Sequence, residues 1–162
     1  MKKIELKNVE KLLDEIDNYN ENKHYDRSHF EKHLKSQQVP DIYGLFDGGK
    51  CTALAFVEAG YPEPEYAYLQ ELASFFPGKG CGMMLVEKLA EKYETIWLIS
   101  NPTGGEGIAK NYRNTGLFNE FVIDKSVYSG KPLHIFMKLS GNDAAKKQEH
   151  LERFLTGIFA EG

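Results

Sequence analysis

Three glycines at alternate positions, Gly78, Gly80 and Gly82, stand between a run that reads as a strand and a run that reads as a helix. With no Cβ at those positions the chain can turn tightly and aim several backbone N–H groups at one point. The start of the following helix adds partial positive charge. The chemistry open to such a turn is the holding of an anion, and a pyrophosphate would suit it. The plain alternative is a tight turn whose glycines serve packing alone.

A cradle of this kind needs one element arriving and another leaving. Residues 66–75 alternate Leu69, Glu71 and Ala73 against Tyr68, Gln70 and Leu72 and are rich in aromatics, which predicts a strand. From Met83 to Tyr93, the residues Leu85, Val86, Leu89, Ala90 and Tyr93 recur at three- and four-residue spacing, which predicts an amphipathic helix. Spacing excludes two owners of glycine-rich loops. Lys79 is followed by Gly80 rather than by Ser or Thr, so the Walker A pattern fails. Met83 stands where the dinucleotide fingerprint has its third glycine, and residues 95–99 bring no ribose-binding carboxylate.

Further along, residues 95–99 read as a short buried strand, residues 101–105 as a Pro/Gly loop, and residues 108–115 as a helix stopped by Gly116. Residues 117–123 return as a strand. The loop Pro77-Gly78-Lys79-Gly80-Cys81-Gly82 and the helix end Tyr112-Arg113-Asn114-Thr115-Gly116-Leu117 together resemble the GCN5-related N-acetyltransferase (GNAT) family. In that family an Arg/Gln-x-x-Gly-x-Gly/Ala loop and a Tyr-x-x-x-Gly-Phe helix end form the acetyl-coenzyme A site. The resemblance extends over about residues 40 to 140 and implies a mixed α/β acyltransferase fold, a mixed central sheet flanked by helices. Pro77 replaces the usual leading Arg or Gln, Leu117 replaces Phe, and Gly105 stands where an Asn is often found, seven residues before the Tyr.

The resemblance implies acetyl-CoA as co-substrate and a primary amine as acceptor, attacked directly. Backbone groups of Gly78, Lys79, Gly80, Cys81, Gly82 and Met83 are then expected at the pyrophosphate, those of Leu72, Ala73 and Ser74 at the pantetheine and the oxyanion, and Asn101 as a substitute for the missing Asn. Acetyl transfer requires the ammonium to lose a proton and the thiolate to be protonated as it leaves. Tyr112 is implied as the acid, its phenol being protonated at neutral pH. Glu71 is the expected base, a carboxylate set among Tyr66 and Tyr68. Their alternatives are a half-buried helix tyrosine and a surface strand glutamate.

The N-terminal third supplies the acceptor side by elimination. Residues 2–6 read as an edge strand. Asn8 caps a helix with the stripe Val9, Leu12, Leu13, Ile16 and Tyr19, and Ser28 with Glu31 forms a capping box that opens a helix through Leu34. Residues 18–27 between them are polar and read as mobile. In the family this region helps shape the acceptor pocket, which points to Tyr25, His29 and Phe30. His29 and His33 share a helix face, but no third ligand stands at a recognisable spacing, so no metal is assigned. A hairpin is expected from residues 42–46 and 51–58. Residues 133–139 read as a closing strand with His134 on the face opposite Ile135. Residues 1–141 thus form an acetyltransferase-like domain. Residues 142–162 hold an amphipathic helix with Leu151, Phe154, Leu155, Ile158 and Phe159 in line, to be packed on the same domain or on a neighbouring subunit as a homodimer.

The chain has 162 residues, enough to bury roughly 70% of its extended surface in one core. Its formal net charge of −4 and pI near 5.8 argue against a nucleic-acid partner. Two isolated cysteines, Cys51 and Cys81, give no disulfide framework, and no long apolar run suggests a membrane, so the cytoplasm is expected. A catalytically silent acyl-CoA-binding or interaction module is the alternative that Pro77 and Gly105 favour, and a nucleotide-phosphate-binding protein is a third.

Overall fold

The computed structural model describes residues 1–100 and 105–162. Seven strands form one sheet: β1 (Lys2–Lys3), β2 (Asp41–Asp47), β3 (Lys50–Ala59), β4 (Ala67–Ser74), β5 (Ile96–Ser100), β6 (Asn119–Ile123) and β7 (Leu133–Lys138). Five helices accompany them: α1 (Val9–Tyr19), α2 (Arg27–Leu34), α3 (Cys81–Lys92), α4 (Gly105–Asn114) and α5 (Ala144–Phe159). The spatial order is β1-β2-β3-β4-β5-β7-β6, and every neighbouring pair is antiparallel except β4 and β5. The expected mixed sheet is therefore present. Its single parallel pair is the one bridged by α3, as a crossover connection requires.

The alternation of apolar residues assigns the two faces. Ala55, Val57, Ala67, Leu69, Ile96, Leu98 and Phe136 lie under α3 and α4, which contribute Leu85, Val86, Leu89, Ala90, Ala109 and Tyr112. The opposite face carries two separate covers. Over β2 to β4, the residues Ile42, Leu54 and Phe56 meet Val9, Leu13 and Ile16 of α1 and Phe30 of α2. Over β5 to β7, Trp97, Ile135 and Met137 meet Leu151 and Leu155 of α5. Phe154 and Phe159 of the same stripe are partly buried there, and Tyr66 adds a hydrogen bond from its hydroxyl to the Lys147 carbonyl at 3.1 Å. His134 and Ile135 face opposite ways, as the closing-strand pattern predicts.

The largest departure from the sequence reading lies in β4. Phe56 is opposite Glu71 but Val57 is opposite Leu69, so Gln70 is an extra residue, a β-bulge. The strict alternation of Leu69, Glu71 and Ala73 does not hold. Leu69 points into the α3 side, whereas Glu71 and Ala73 point to the side of α1 and α2. One inserted residue reverses every side chain beyond it.

Smaller differences occur at element ends. The first strand is limited to Lys2 and Lys3, and Asn8 occupies the cap position of α1 without a side-chain hydrogen bond. The cap of α2 is Asp26 rather than Ser28. Its carboxylate accepts from the Ser28 amide at 3.0 Å and the Ser28 hydroxyl at 2.6 Å, and Glu31 pairs with Arg27 at 3.5 Å instead of closing a capping box. Arg27 also reaches Glu10, Asp14 and Asp17, which ties α2 to α1. The polar segment between these helices is pinned: Asn22 Nδ2 donates to the Ser74 carbonyl at 2.8 Å, and the Glu21 amide to the Phe75 carbonyl at 2.9 Å. The β2–β3 turn is two residues long, with Gly48 and Gly49 at φ values of 57° and 82° that a hairpin of this length favours.

Candidate active site

Ladder pairing between β4 and β5 stops almost as soon as it begins. Among the described residues only Ala67–Ile96 and Tyr68–Trp97 are in register, and the edge of β4 from Leu69 to Ser74 has no strand partner among them on the β5 side. In an antiparallel ladder alternate residues turn their N–H and C=O away from the partner strand, so a β4 paired only with β3 leaves such groups facing the gap. An extended chain bearing amides could complete the ladder there. One group is already taken, since the Ser74 carbonyl accepts from Asn22.

At the C-terminal end of this open edge the chain enters the glycine turn. Gly78 and Gly80 have φ values of 82° and 71°, in the left-handed region, and a Cβ built on either would meet nothing within 4 Å. Gly80 is the N-terminal cap of α3, with no side-chain hydrogen bond, and the first turn of the helix holds no acidic residue. The Met84 amide is the first to bond back, to the Gly80 carbonyl at 3.0 Å. Among the described residues, the amides of residues 78–83 have no hydrogen-bond partner within the chain. Unpartnered donors at the positive end of a twelve-residue helix have the chemistry to hold an anion.

Gly82 plays a different part. It is buried in the first turn of α3, where a Cβ would stand 3.6 Å from Ser74 Cβ and 3.9 Å from Leu72 Cδ2, so it sets how closely the helix approaches β4. Cys81 and Met83 are partly buried against the α3 side of the core. Beside the cradle, on the side of the β2–β3 hairpin, lies a cavity of about 610 Å³ lined by Phe46, Lys50, Thr52, Phe76, Lys79, Cys81 and Met84.

Tyr112 lies on the α3 side of the sheet in the last turn of α4. It is 6% exposed, with its ring 5.4 Å from Phe136 and 6.2 Å from Phe118. Burial raises its pKa, so the phenol keeps its proton throughout the neutral range. The helix ends where the Gly116 stop predicts: Gly116 has φ 68°, and its amide bonds to the Arg113 carbonyl. Arg113 then makes a two-pronged ion pair with Glu120 of β6, Nε to Oε1 at 2.6 Å and Nη2 to Oε2 at 2.7 Å, and His134 Nδ1 of β7 lies 2.7 Å from the same Oε2. The Arg113 guanidinium, with His134, holds the Glu120 carboxyl below its ordinary range. This cluster clamps the end of α4 to two strands. Sequence reasoning missed it because its members are distant in the chain and only the register of β6 with β7 brings them together.

Glu71 stands on the other face, in the half-buried strip of Glu58, Tyr68, Gln70 and Glu71. Its expected neighbour Tyr66 is instead buried beneath α5, where its hydroxyl bonds to the Lys147 carbonyl. Tyr68 remains close: burial, with the charge of Glu71 and that of Glu58 adding, pushes its pKa up to about 12. The direct partners of Glu71 come from α2, His33 Nε2 at 3.0 Å and Lys32 Nζ at 3.8 Å from Oε1. Of the residues expected on the acceptor side, Phe30 is core, and Tyr25 packs against Phe30 and Phe75. His29 is exposed and pairs with Asp26 at 3.5 Å. Asn101 lies outside the described residues. Among the described residues no group of three His, Cys, Asp or Glu is placed to hold a metal ion, and no helix is long and apolar enough to cross a membrane.

The arrangement of sheet, open edge and glycine turn is the fold of the GNAT acetyltransferases. The ribosomal-protein-S18-alanine N-acetyltransferase of Escherichia coli superposes with a TM-score of 0.59 at 18% identity, covering 88% of this chain and 96% of that one. A GNAT-family acetyltransferase from Streptococcus pneumoniae gives 0.55 at 14% identity, over 86% and 98%. A candidate streptothricin acetyltransferase from Bacillus anthracis, solved in complex with acetyl coenzyme A, gives 0.52 at 14% identity over 69% of each chain. No family model matches the chain, and no curated protein matches it in sequence.

Proposed function

We propose that the protein is an acetyl-CoA-dependent N-acetyltransferase that passes the acetyl group to a primary amine by direct attack. The observation that carries this reading is the continuity of the open β4 edge with the unsatisfied amides at the start of α3, on a fold shared with acetyltransferases. Acetyl-CoA has matching parts: an amide-bearing pantetheine arm to complete the ladder at Leu72 and Ala73, and a pyrophosphate for residues 78–83. The oxyanion that forms as the amine attacks is held by backbone donors of the same edge. Glu71 takes the proton of the acceptor ammonium, and Tyr112 gives one to the departing thiolate. Asn101 remains the candidate for the position that Gly105 leaves vacant in the motif.

The acceptor approaches on the strip that carries Glu71, between the α1–α2 cover and α5. It is a small-molecule amine or the amine of a peptide. Two free cysteines fit a reducing, cytoplasmic setting. The test is calorimetric titration with acetyl-CoA, CoA and ATP, followed by thiol release across a panel of aliphatic amines and a peptide with an N-terminal alanine. Binding of acetyl-CoA without release from any amine would assign the chain to the silent acyl-CoA-binding class. Competition by ATP at comparable affinity, with no preference for CoA, would assign it to nucleotide binding.

A further inference from the structure

We infer that His33 is a positioning residue for Glu71, an inference that rests on the acetyltransferase reading above. The two side chains come from elements 38 residues apart, and both are about four-fifths covered, with side-chain exposures of 20% and 21%. His33 Nε2 lies 3.0 Å from Glu71 Oε1, and the imidazole edge rests on Phe56, its centroid 6.3 Å from that of the phenyl ring. The rotation of the imidazole is therefore set by β3 rather than by solvent. The helix that carries it is fixed in turn, through Arg27 to the carboxylates of α1 and through Phe30 to the core.

The consequence falls on the carboxylate. With Nε2–H donating to Oε1, one oxygen is occupied and the torsion of the carboxyl group is held. The other oxygen, Oε2, has no hydrogen bond among the described residues and is the one available to an ammonium. The bulge at Gln70 supplies the remaining condition, because without the extra residue Glu71 would face α3 and be out of reach of α2. The proton balance is simple. The acceptor ammonium gives one proton to Oε2 and becomes the attacking amine, while His33 keeps its own protons.

The experiment compares wild type, His33→Ala, His33→Gln, Glu71→Gln and the double variant His33→Ala/Glu71→Gln, using thiol release with the best amine of the panel and acetyl-CoA titration. His33→Ala is expected to lower kcat by roughly tenfold or more, with acetyl-CoA affinity unchanged. His33→Gln, which retains a donor near the Nε2 position, is expected to recover most of kcat. In the Glu71→Gln background the alanine change should add nothing. Thermal melting separates a loss of fold from a loss of positioning. Full kcat in a folded His33→Ala, additive losses in the double variant, or a glutamine variant as impaired as the alanine one would overturn the inference while leaving the acetyltransferase intact. Absence of turnover in the wild type with every amine would overturn both.

Discussion

Gly82 faces Ser74 across the junction of helix and strand with room for one methyl between them: a Cβ on Gly82 would lie 3.6 Å from Ser74 Cβ and 3.8 Å from its Oγ. This approach seats the start of α3 against the open edge of β4, so cradle and ladder form one continuous surface. The separation is an ordinary van der Waals distance, and Gly82 has no positive φ. Gly82→Ala should therefore fold and gain about 0.5–1 kcal/mol from helix propensity, measurable as a rise in the urea midpoint. A loss of stability would show that the junction is tighter than the contact suggests.

Gly80 behaves otherwise. Its φ of 71° strains most L-residues, and the space beside it opens toward the cradle. Asn tolerates that conformation, so Gly80→Asn should keep near-native melting yet lower acetyl-CoA affinity at least about tenfold by filling the anion site. Calorimetry decides, and unaltered affinity in the folded variant would remove the cradle assignment.

Loss of the Tyr112 hydroxyl should strike turnover and spare binding. Phe keeps the packing against Phe118 and Phe136, and general-acid catalysis contributes roughly 10² to 10⁴ in rate. Tyr112→Phe is expected to lower kcat by that range with little change in acetyl-CoA affinity. Full kcat with chemistry rate-limiting would return the residue to a packing role.

Glu120 makes a prediction about acid. Its pKa is lowered from the ordinary 4.5 by Arg113 and His134, so its stabilising contribution is complete above that value and drains away as pH falls through the lower folded-state value. The stability gap between wild type and Glu120→Gln should be fully present above pH 4.5 and shrink as pH falls below it. Urea titrations across that interval measure it, and a gap independent of pH would rule out the ion pair as its source.

Leu155 tests the cover over the second half of the sheet. It is 1% exposed and meets the cluster that contains Trp97 and Met137. Leu155→Ala should cost about 2–5 kcal/mol, read by chemical denaturation. A cost under about 1 kcal/mol would mean that α5 contributes little to the fold.

Much of this was legible because short-range patterns carried it. The stripe of Val9, Leu12, Leu13 and Ile16 became the buried side of α1, and the glycine pair of the hairpin met the backbone demand of a two-residue turn. The tight turn could be read from Gly78 and Gly80 because positive φ is a local requirement. What escaped was anything that depends on register. No period-two pattern announces an extra residue at Gln70, so alternation set Glu71 on the side of Leu69, whereas it was found against α2. His33 looked like half of an i,i+4 histidine pair, yet its partner lies on a strand. Asp26 displaced Ser28 as a cap because two hydrogen bonds from Ser28 favoured its carboxylate.

The two ladder pairs between β4 and β5 also make the sheet a seam between two half-sheets, each with its own helical cover. Apart from α3 and its neighbours on the other face, little backbone bonding crosses that seam. A ligand lying in the gap acts as a suture, supplying the rungs the protein lacks. Acetyl-CoA at one hundred times its dissociation constant should then add about 2.7 kcal/mol to global stability by mass action. Its footprint in hydrogen exchange should be concentrated on the amides of β4 beyond Leu69, where the two halves otherwise part.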